Sequence, residues 1–414
     1  MLTIRNIDYR IWRGFFRLQI ADVILISIGM MFLSDAATTF LQYFQSPFSR
    51  VSLVVRLGLE IIYIVLLLAR LRETFRFFIG AAILTLCFSV SLVTGGLIFP
   101  DYAWGENLII FNKLLWLFMS WYVLKTYIQN PQKQRTLFLI YEGIIFIQSM
   151  SIFLGFLFKI PAFASYEAYR FGYKGLLPAQ NETSFFYIIA FFYCALQVSR
   201  YQRCRLLLLI TTVAAAMTGT KLGFSIPILL IVFVVFIWGI RPSKSTWSII
   251  AGMSLVALVV LMNWQVIYDR VVPTIVYYSS RAEQGRSMVY LITSGRIDLF
   301  SHASEYVQKY SFLALIGGYN TAGQFIEMDP VDIFLSIGLL GTIFYYYWLF
   351  ILIVWPIRLN LQLFFFAILV TASTVAGHFS YSAINGIYCA ILMMLFHSLD
   401  KVIIWNIRTP RIGS

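Results

Sequence analysis

Charge is scarce in this chain: only 12% of its 414 residues are Asp, Glu, Lys or Arg, while 60% are hydrophobic. A soluble globule carries about a quarter charged residues and is about half apolar, so a water-soluble domain is excluded. In place of charge stand repeated apolar runs of roughly 18 to 25 residues, the length of a helix that crosses a bilayer. The period-two alternation of a membrane barrel is absent. The spans are therefore expected to be helices, because every backbone polar group in lipid needs an internal partner. Cysteine is also sparse. The four residues Cys87, Cys194, Cys204 and Cys389 fall in or beside apolar runs with no pairing or metal spacing, which argues against structural disulfides and zinc. The three histidines, His302, His378 and His397, show no ligand spacing, and there is no Asp-x-Asp motif. No internal repeat suggests the inverted halves common in secondary transporters. A basic amphipathic start, Tyr9 to Arg17, leads straight into a full-length apolar run, so a retained first helix and no cleaved signal peptide are expected.

The formal net charge of +13 invites a nucleic-acid reading. Distribution argues otherwise. Assigned to alternate loops, nineteen of the 31 basic residues fall on one side, in clusters such as Arg5–Arg17, Arg70–Arg76, Arg200–Arg205 and Lys401–Arg411. This is the positive-inside bias, and it predicts both termini in the cytoplasm. No nucleic-acid partner is expected. Spans are read at roughly 19–42, 52–70, 76–98, 107–128, 136–158, 183–199, 205–219, 222–240, 246–264, 332–355, 360–379 and 384–404. The predicted architecture is an all-α polytopic membrane protein with about twelve transmembrane helices. Helices 1–9 occupy 1–264, a large extracytoplasmic loop with short helices occupies 265–331, and helices 10–12 with a cytoplasmic tail occupy 332–414. The seventh span is short, and its break from the eighth rests on the glycine turn Thr218-Gly219-Thr220-Lys221. The loop is nearly neutral, and Leu299 to Tyr310 within it has amphipathic patches.

Candidate chemistry gathers on the outer side. Arg296, in Ser294-Gly295-Arg296, reads either as a solvated loop residue or as a cation for an anionic substrate. Lys221, at the tip of its turn, reads as a snorkelling helix end or as a second such cation. Arg170 and Lys174, in Arg170-Phe171-Gly172-Tyr173-Lys174-Gly175, lie on the same side. Cations beside glycines at an interface suit a diphosphate, which needs several donors. Three carboxylates cluster where the loop re-enters the membrane, Glu327, Asp329 and Asp332. Asp329 before Pro330 is a good helix cap, whereas Glu327 or Asp332 is a candidate general base towards a sugar hydroxyl. Within the spans, Asp35, Arg56, Glu60, Lys113 and Glu142 are functional candidates by default, and the spacing of Arg56 and Glu60 permits pairing along one helix.

These residues resemble the O-antigen ligase and O-antigen polymerase superfamily of bacterial membrane glycosyltransferases, whose members have about twelve helices and one large outer loop before the last helices (GT-C-like). Thr218-Gly219-Thr220-Lys221 resembles the family's Thr-x-Ser-Arg turn, with Lys for Arg. Ser294-Gly295-Arg296 with Phe300 resembles its Gly-Arg motif, Gly317-Gly318-Tyr319-Asn320 its Gly-x-Gly, and Pro178-Ala179-Gln180-Asn181 loosely its Asn-Pro-Asn. Counting back from Gly338 and Gly341, at the start of the next apolar helix, puts Glu327 where the ligases typically carry His, a departure that suits divergent polysaccharide polymerases. The resemblance implies transfer of a glycan from undecaprenyl diphosphate to an acceptor sugar hydroxyl, on the outer face of a bacterial plasma (inner) membrane. It implies no metal and no cofactor. Lys221 and Arg296 would hold the diphosphate, and Glu327, or Asp332 as second choice, would position or deprotonate the acceptor. Partners are then the lipid-linked donor and acceptor and the bilayer, with a flippase and a chain-length regulator as compatible neighbours. A repeat-unit polymerase ranks first, a ligase with another acceptor second, and a lipid-linked oligosaccharide flippase third.

Overall fold

The apolar runs fold as helices. The computed structural model describes residues 19–166, 171–201, 203–234, 251–254, 296–310, 312–320, 325–354 and 360–398, with single positions at 262, 265, 268, 272, 276 and 280. Among them are α1 (Ile20–Tyr43), α2 (Val51–Ala69), α3 (Leu71–Ile98), α4 (Trp104–Tyr127), α5 (Pro131–Phe158), α6 (Gln180–Tyr201), α7 (Arg205–Met217) and α8 (Lys221–Val232). They are followed by α9 (Arg296–Tyr310), α10 (Phe312–Ile316), α11 (Asp329–Val354), α12 (Asn360–Ala376) and α13 (Ala383–Ser398). Among the described residues an antiparallel bridge, Ala164 to Tyr173, closes the loop after α5. Helices α1 to α6 and α11 are long and apolar enough to cross a membrane, and the protein is by that measure an α-helical multi-pass membrane protein. The ninth predicted span, 246–264, lies largely outside the described residues.

At the centre runs α13, buried from Ala383 to Phe396. It packs chiefly on α4 and α6, with further contacts to α5 and α1. Gly386 makes the α4 contact possible, since a Cβ there would stand 2.9 Å from the Leu117 backbone nitrogen. In lipid there is little hydrophobic drive between helices, so close van der Waals packing of this kind carries much of the association. Aromatic stacking adds to it: Trp348 of α11 lies on Phe118 of α4, with centroids 3.9 Å apart. On the periphery, Val54, Ile61 and Val65 of α2 and Leu86, Val93 and Leu97 of α3 are exposed, the face expected to meet lipid.

Two features differ from the sequence expectation. Arg56 does not pair along α2 with Glu60. It reaches across to Asp35 of α1 at 2.5 Å, and Glu60 instead accepts from Asn112 of α4 at 2.6 Å, so each charge staples two helices together. The tenth span was expected from 332 with Gly338 and Gly341 near its start, yet α11 begins at Asp329 and Gly338 breaks it internally at φ 72° and ψ 178°. That backbone is natural only for glycine, and it lets the carbonyl of Ile316, at the end of α10, approach where a side chain would stand.

The turns 44–50, 99–103, 159–166 with 171–179, 218–220 and 377–382, with the entry to α11, all lie at one end of the bundle. Hydrogen bonds sew that end together: Asn107 to Asn320, Gln180 to the Thr218 carbonyl, Asn385 to the Glu182 carbonyl and Thr39 to the Leu176 carbonyl.

Candidate functional site

At this end a cavity of about 920 Å³ opens between α4, α6, α8, α9, α12 and the turn before α11. One wall is apolar, made by Leu222, Ile228 and Leu229 of α8 and by Ile368, Ala372, Val375 and Ala376 of α12. The rest of the lining is rich in ionic groups. Lys113, Lys221, Arg296 and His378 supply cationic groups, and Glu182 and Glu327 supply carboxylates.

Local chemistry explains how each is held. Thr220 caps α8, its hydroxyl accepting from Gly223 N at 2.9 Å, and the same hydroxyl lies 2.8 Å from Ser184 of α6. The first turns of α6 and α8 are thereby locked side by side, which sets Asn181, Glu182 and Lys221 at the cavity. The preceding loop is clamped by Gln148 of α5, which donates to the Lys174 carbonyl (2.7 Å) and accepts from Leu176 N (3.0 Å). Arg296, the first residue of α9, donates to the Val375 carbonyl of α12 at 3.1 Å and to Glu327 Oε2 at 2.7 Å. His378 Nε2 lies 3.4 Å from Glu327 Oε1. Glu327 thus has Arg296 on one oxygen and the His378 imidazole beside the other.

The turns that carry this triad are themselves over-determined. Glu327 and His378 both take left-handed backbone, at φ 61° and 69°, a conformation that costs a non-glycine residue about 1–3 kcal/mol and persists only where the surroundings enforce it. The enforcement is visible. Asp329 accepts from His378 N (2.5 Å) and Ser380 N (2.7 Å), while Asp332 accepts from Ile326 N (2.9 Å) and Met328 N (3.0 Å). The hydrogen bond from His378 first, then the charges of His378 and Arg296, pull the Glu327 carboxyl down to about 2 against the effect of burial. Burial presses His378 down, but contact with Glu327 and the charges of Glu327 and Asp329 outweigh it, and the imidazole lies above its usual value. Arg296, Glu327 and His378 thus form a triad in this corner of the cavity, in which each charge favours the ionised form of its neighbour.

Of the residues singled out in the sequence, Lys221, Arg296 and Glu327 meet at this cavity, and so does the intramembrane Lys113. Asp332 does not line it, because both its oxygens cap the turn that presents Glu327. Lys174 turns onto its own loop, donating to the Pro178 carbonyl at 3.1 Å, where burial lowers its ammonium. Arg170, Ser294 and Gly295 lie outside the described residues. The Gly317-Gly318 pair packs on α3 and near Gly338, away from the cavity. Two wall residues, Glu182 and His378, were not recognised in the sequence. A signal existed for His378, a lone titratable residue after Gly377 at the end of an apolar run, and for Glu182, an acid in the first turn of a helix. Among the described residues no three His, Cys, Asp or Glu side chains gather as a metal ion would require.

Compared with protein-family models, curated proteins and solved structures, the chain matches none.

Proposed function

We propose that the protein is a membrane glycosyltransferase that polymerises undecaprenyl-diphosphate-linked oligosaccharide repeat units into a capsular polysaccharide, exopolysaccharide or O-antigen, on the outer face of a bacterial plasma membrane. The observation that carries this is the convergence of Lys113, Lys221 and Arg296 on one cavity that also has an apolar wall. The first turns of α6, α8 and α9 reach the same cavity, and helix N-termini carry partial positive charge and unsatisfied N–H groups that favour anions. A diphosphate on a polyprenyl chain needs both features, several donors for its head and an apolar path for its tail. In this reading Lys221 and Arg296 hold the diphosphate and take up the charge that develops as it leaves, a form of electrostatic catalysis that rests on preorganised cations. Glu327 sets the position of Arg296 and offers an acceptor to a sugar hydroxyl. The twelve-helix, GT-C-like topology with cytoplasmic termini belongs to the same proposal.

A ligase that delivers the glycan to another acceptor would use the same chemistry. A lipid-linked oligosaccharide flippase stays as a second class, and one observation favours it: the charges of Asp35, Arg56 and Lys113 lie within electrostatic reach of Glu182, so ionic groups extend from the cavity into the bundle.

Equilibrium binding tests the carrying observation. With the full chain in nanodiscs, undecaprenyl diphosphate should bind more tightly than undecaprenyl monophosphate. Arg296→Ala and Lys221→Ala should each weaken diphosphate binding by roughly tenfold to a hundredfold, the value of a charge-assisted hydrogen bond. Equal affinity for the two lipids, or no change in either variant, contradicts the assignment.

A further inference from the structure

Proton transfer from the attacking sugar hydroxyl needs a base that is ionised, within reach, and not already held by other donors. Glu327 fits poorly. Arg296 occupies one carboxylate oxygen at 2.7 Å, His378 stands 3.4 Å from the other, and these contacts leave it a weak base. Asp332 and Asp329 are spent on backbone N–H groups. Among the described residues, one carboxylate of the cavity remains. Glu182 stands in the first turn of α6, on the wall that also carries Asn181 and Lys221. Its backbone is fixed by Asn385 of α13, which donates to the Glu182 carbonyl at 3.1 Å. Among the described residues its carboxylate has no hydrogen bond and no ion pair within 4 Å.

We propose that Glu182 is the general base of the transfer reaction, an inference that rests on the glycosyltransferase reading above. The acceptor O–H bond breaks and its proton passes to a Glu182 carboxylate oxygen. The acceptor oxygen forms the new bond to the anomeric carbon as the bond from that carbon to the diphosphate oxygen breaks. The electron pair leaves with the lipid diphosphate, whose added charge falls on Lys221 and Arg296. Glu182 then gives its proton to water. The titratable and charged groups that face Glu182 from neighbouring elements are Asp35 from α1, Arg56 from α2, Lys113 from α4, Lys221 from α8 and His378 from the turn before α13. The division of labour follows from their partners, because Glu327 is tied to Arg296 and His378, whereas Glu182 lines the cavity beside Lys221 without such a contact among the described residues.

The test uses the full chain in nanodiscs with lipid-linked oligosaccharide isolated from source cells that lack this protein, and compares wild type with Glu182→Gln, Glu182→Asp and Glu182→Ala. Loss of a general base lowers turnover by about a hundredfold to ten-thousandfold. We expect that loss for Glu182→Gln and Glu182→Ala, with donor affinity within about twofold of wild type. Glu182→Asp should keep measurable turnover, the acid limb of the pH–rate profile should flatten in Glu182→Gln, and added formate should restore turnover to Glu182→Ala but not raise it in wild type. If wild type turns over and Glu182→Gln keeps its rate within tenfold, the base lies elsewhere and this inference fails alone. A loss that formate does not restore, accompanied by weaker donor binding or a lower melting temperature, also overturns it and makes Glu182 a structural counter-charge. A wild-type protein that transfers nothing overturns the enzyme reading, and this inference falls with it.

Discussion

Glu327 draws together three distant stretches of chain: Arg296 opens α9, Glu327 precedes α11 and His378 follows α12. The ionic triad has a definite pH signature. His378 lies above its ordinary value in the folded protein, so its stabilising contribution is complete below about pH 6.5 and is lost as pH rises through the higher folded value. Glu327 is lowered from 4.5 to about 2, so its contribution is present above the ordinary value and is lost as pH falls towards 2. Glu327 is 39% exposed, so solvent screening holds the pair to about 1 kcal/mol or less. The melting temperature of wild type should therefore fall as pH rises above about 6.5, and His378→Gln should remove that fall. Superimposable melting curves against pH for the two proteins would contradict the pairing. At this scale the sequence was half legible. Arg296, Lys221 and Glu327 announce themselves because each stands beside a glycine or proline turn where a charge is unusual. His378 and Glu182 gain meaning only when helices far apart in the chain are packed side by side, and no spacing along the sequence encodes that.

Among the elements, the charge staples determine which helices are neighbours. The Asp35 side chain is 0% exposed, and the Arg56 guanidinium bonded to it is 12% exposed. Breaking one member of a buried pair leaves a charge uncompensated, at a cost of about 3–5 kcal/mol, whereas replacing both by residues of similar shape is often close to neutral. Arg56→Met should accordingly destabilise the α1–α2 contact by about that amount, and Asp35→Asn combined with Arg56→Met should recover most of it, as read by thermal denaturation in detergent. A single variant as stable as the double variant would contradict the staple. The helices themselves were readable from apolar runs, and the turn at Gly219 separates α7 from α8 where the sequence put it. Amphipathic Leu299 to Tyr310 forms the body of α9. Two details were not readable. Arg56 has a carboxylate four residues away, which hid the partner across the helix interface. Gly338 breaks a helix rather than starting one, because the tight approach of α10 that requires it is a tertiary event.

On the scale of the whole molecule, alternate turns between helices collect at one end and border a cavity lined by both ionic and apolar residues. The α13 core gives these turns a rigid base, and hydrogen bonds donated by Gln148 and Asn385 and accepted by Asp329 and Asp332 convert loops into fixed walls. That arrangement suits a lipid whose reactive head is a diphosphate. The central claim is that transfer occurs in this cavity with Arg296 and Lys221 on the leaving group. Its most direct test incubates the full chain in nanodiscs with lipid-linked repeat unit, isolated from source cells that lack the protein, in the presence of EDTA, and resolves the products on a gel. Wild type should yield a ladder of chain lengths, and Arg296→Ala and Lys221→Ala should yield none. A single transfer product would point to a ligase, and an unreacted lipid-linked unit found on the opposite leaflet would contradict the enzyme and leave a flippase.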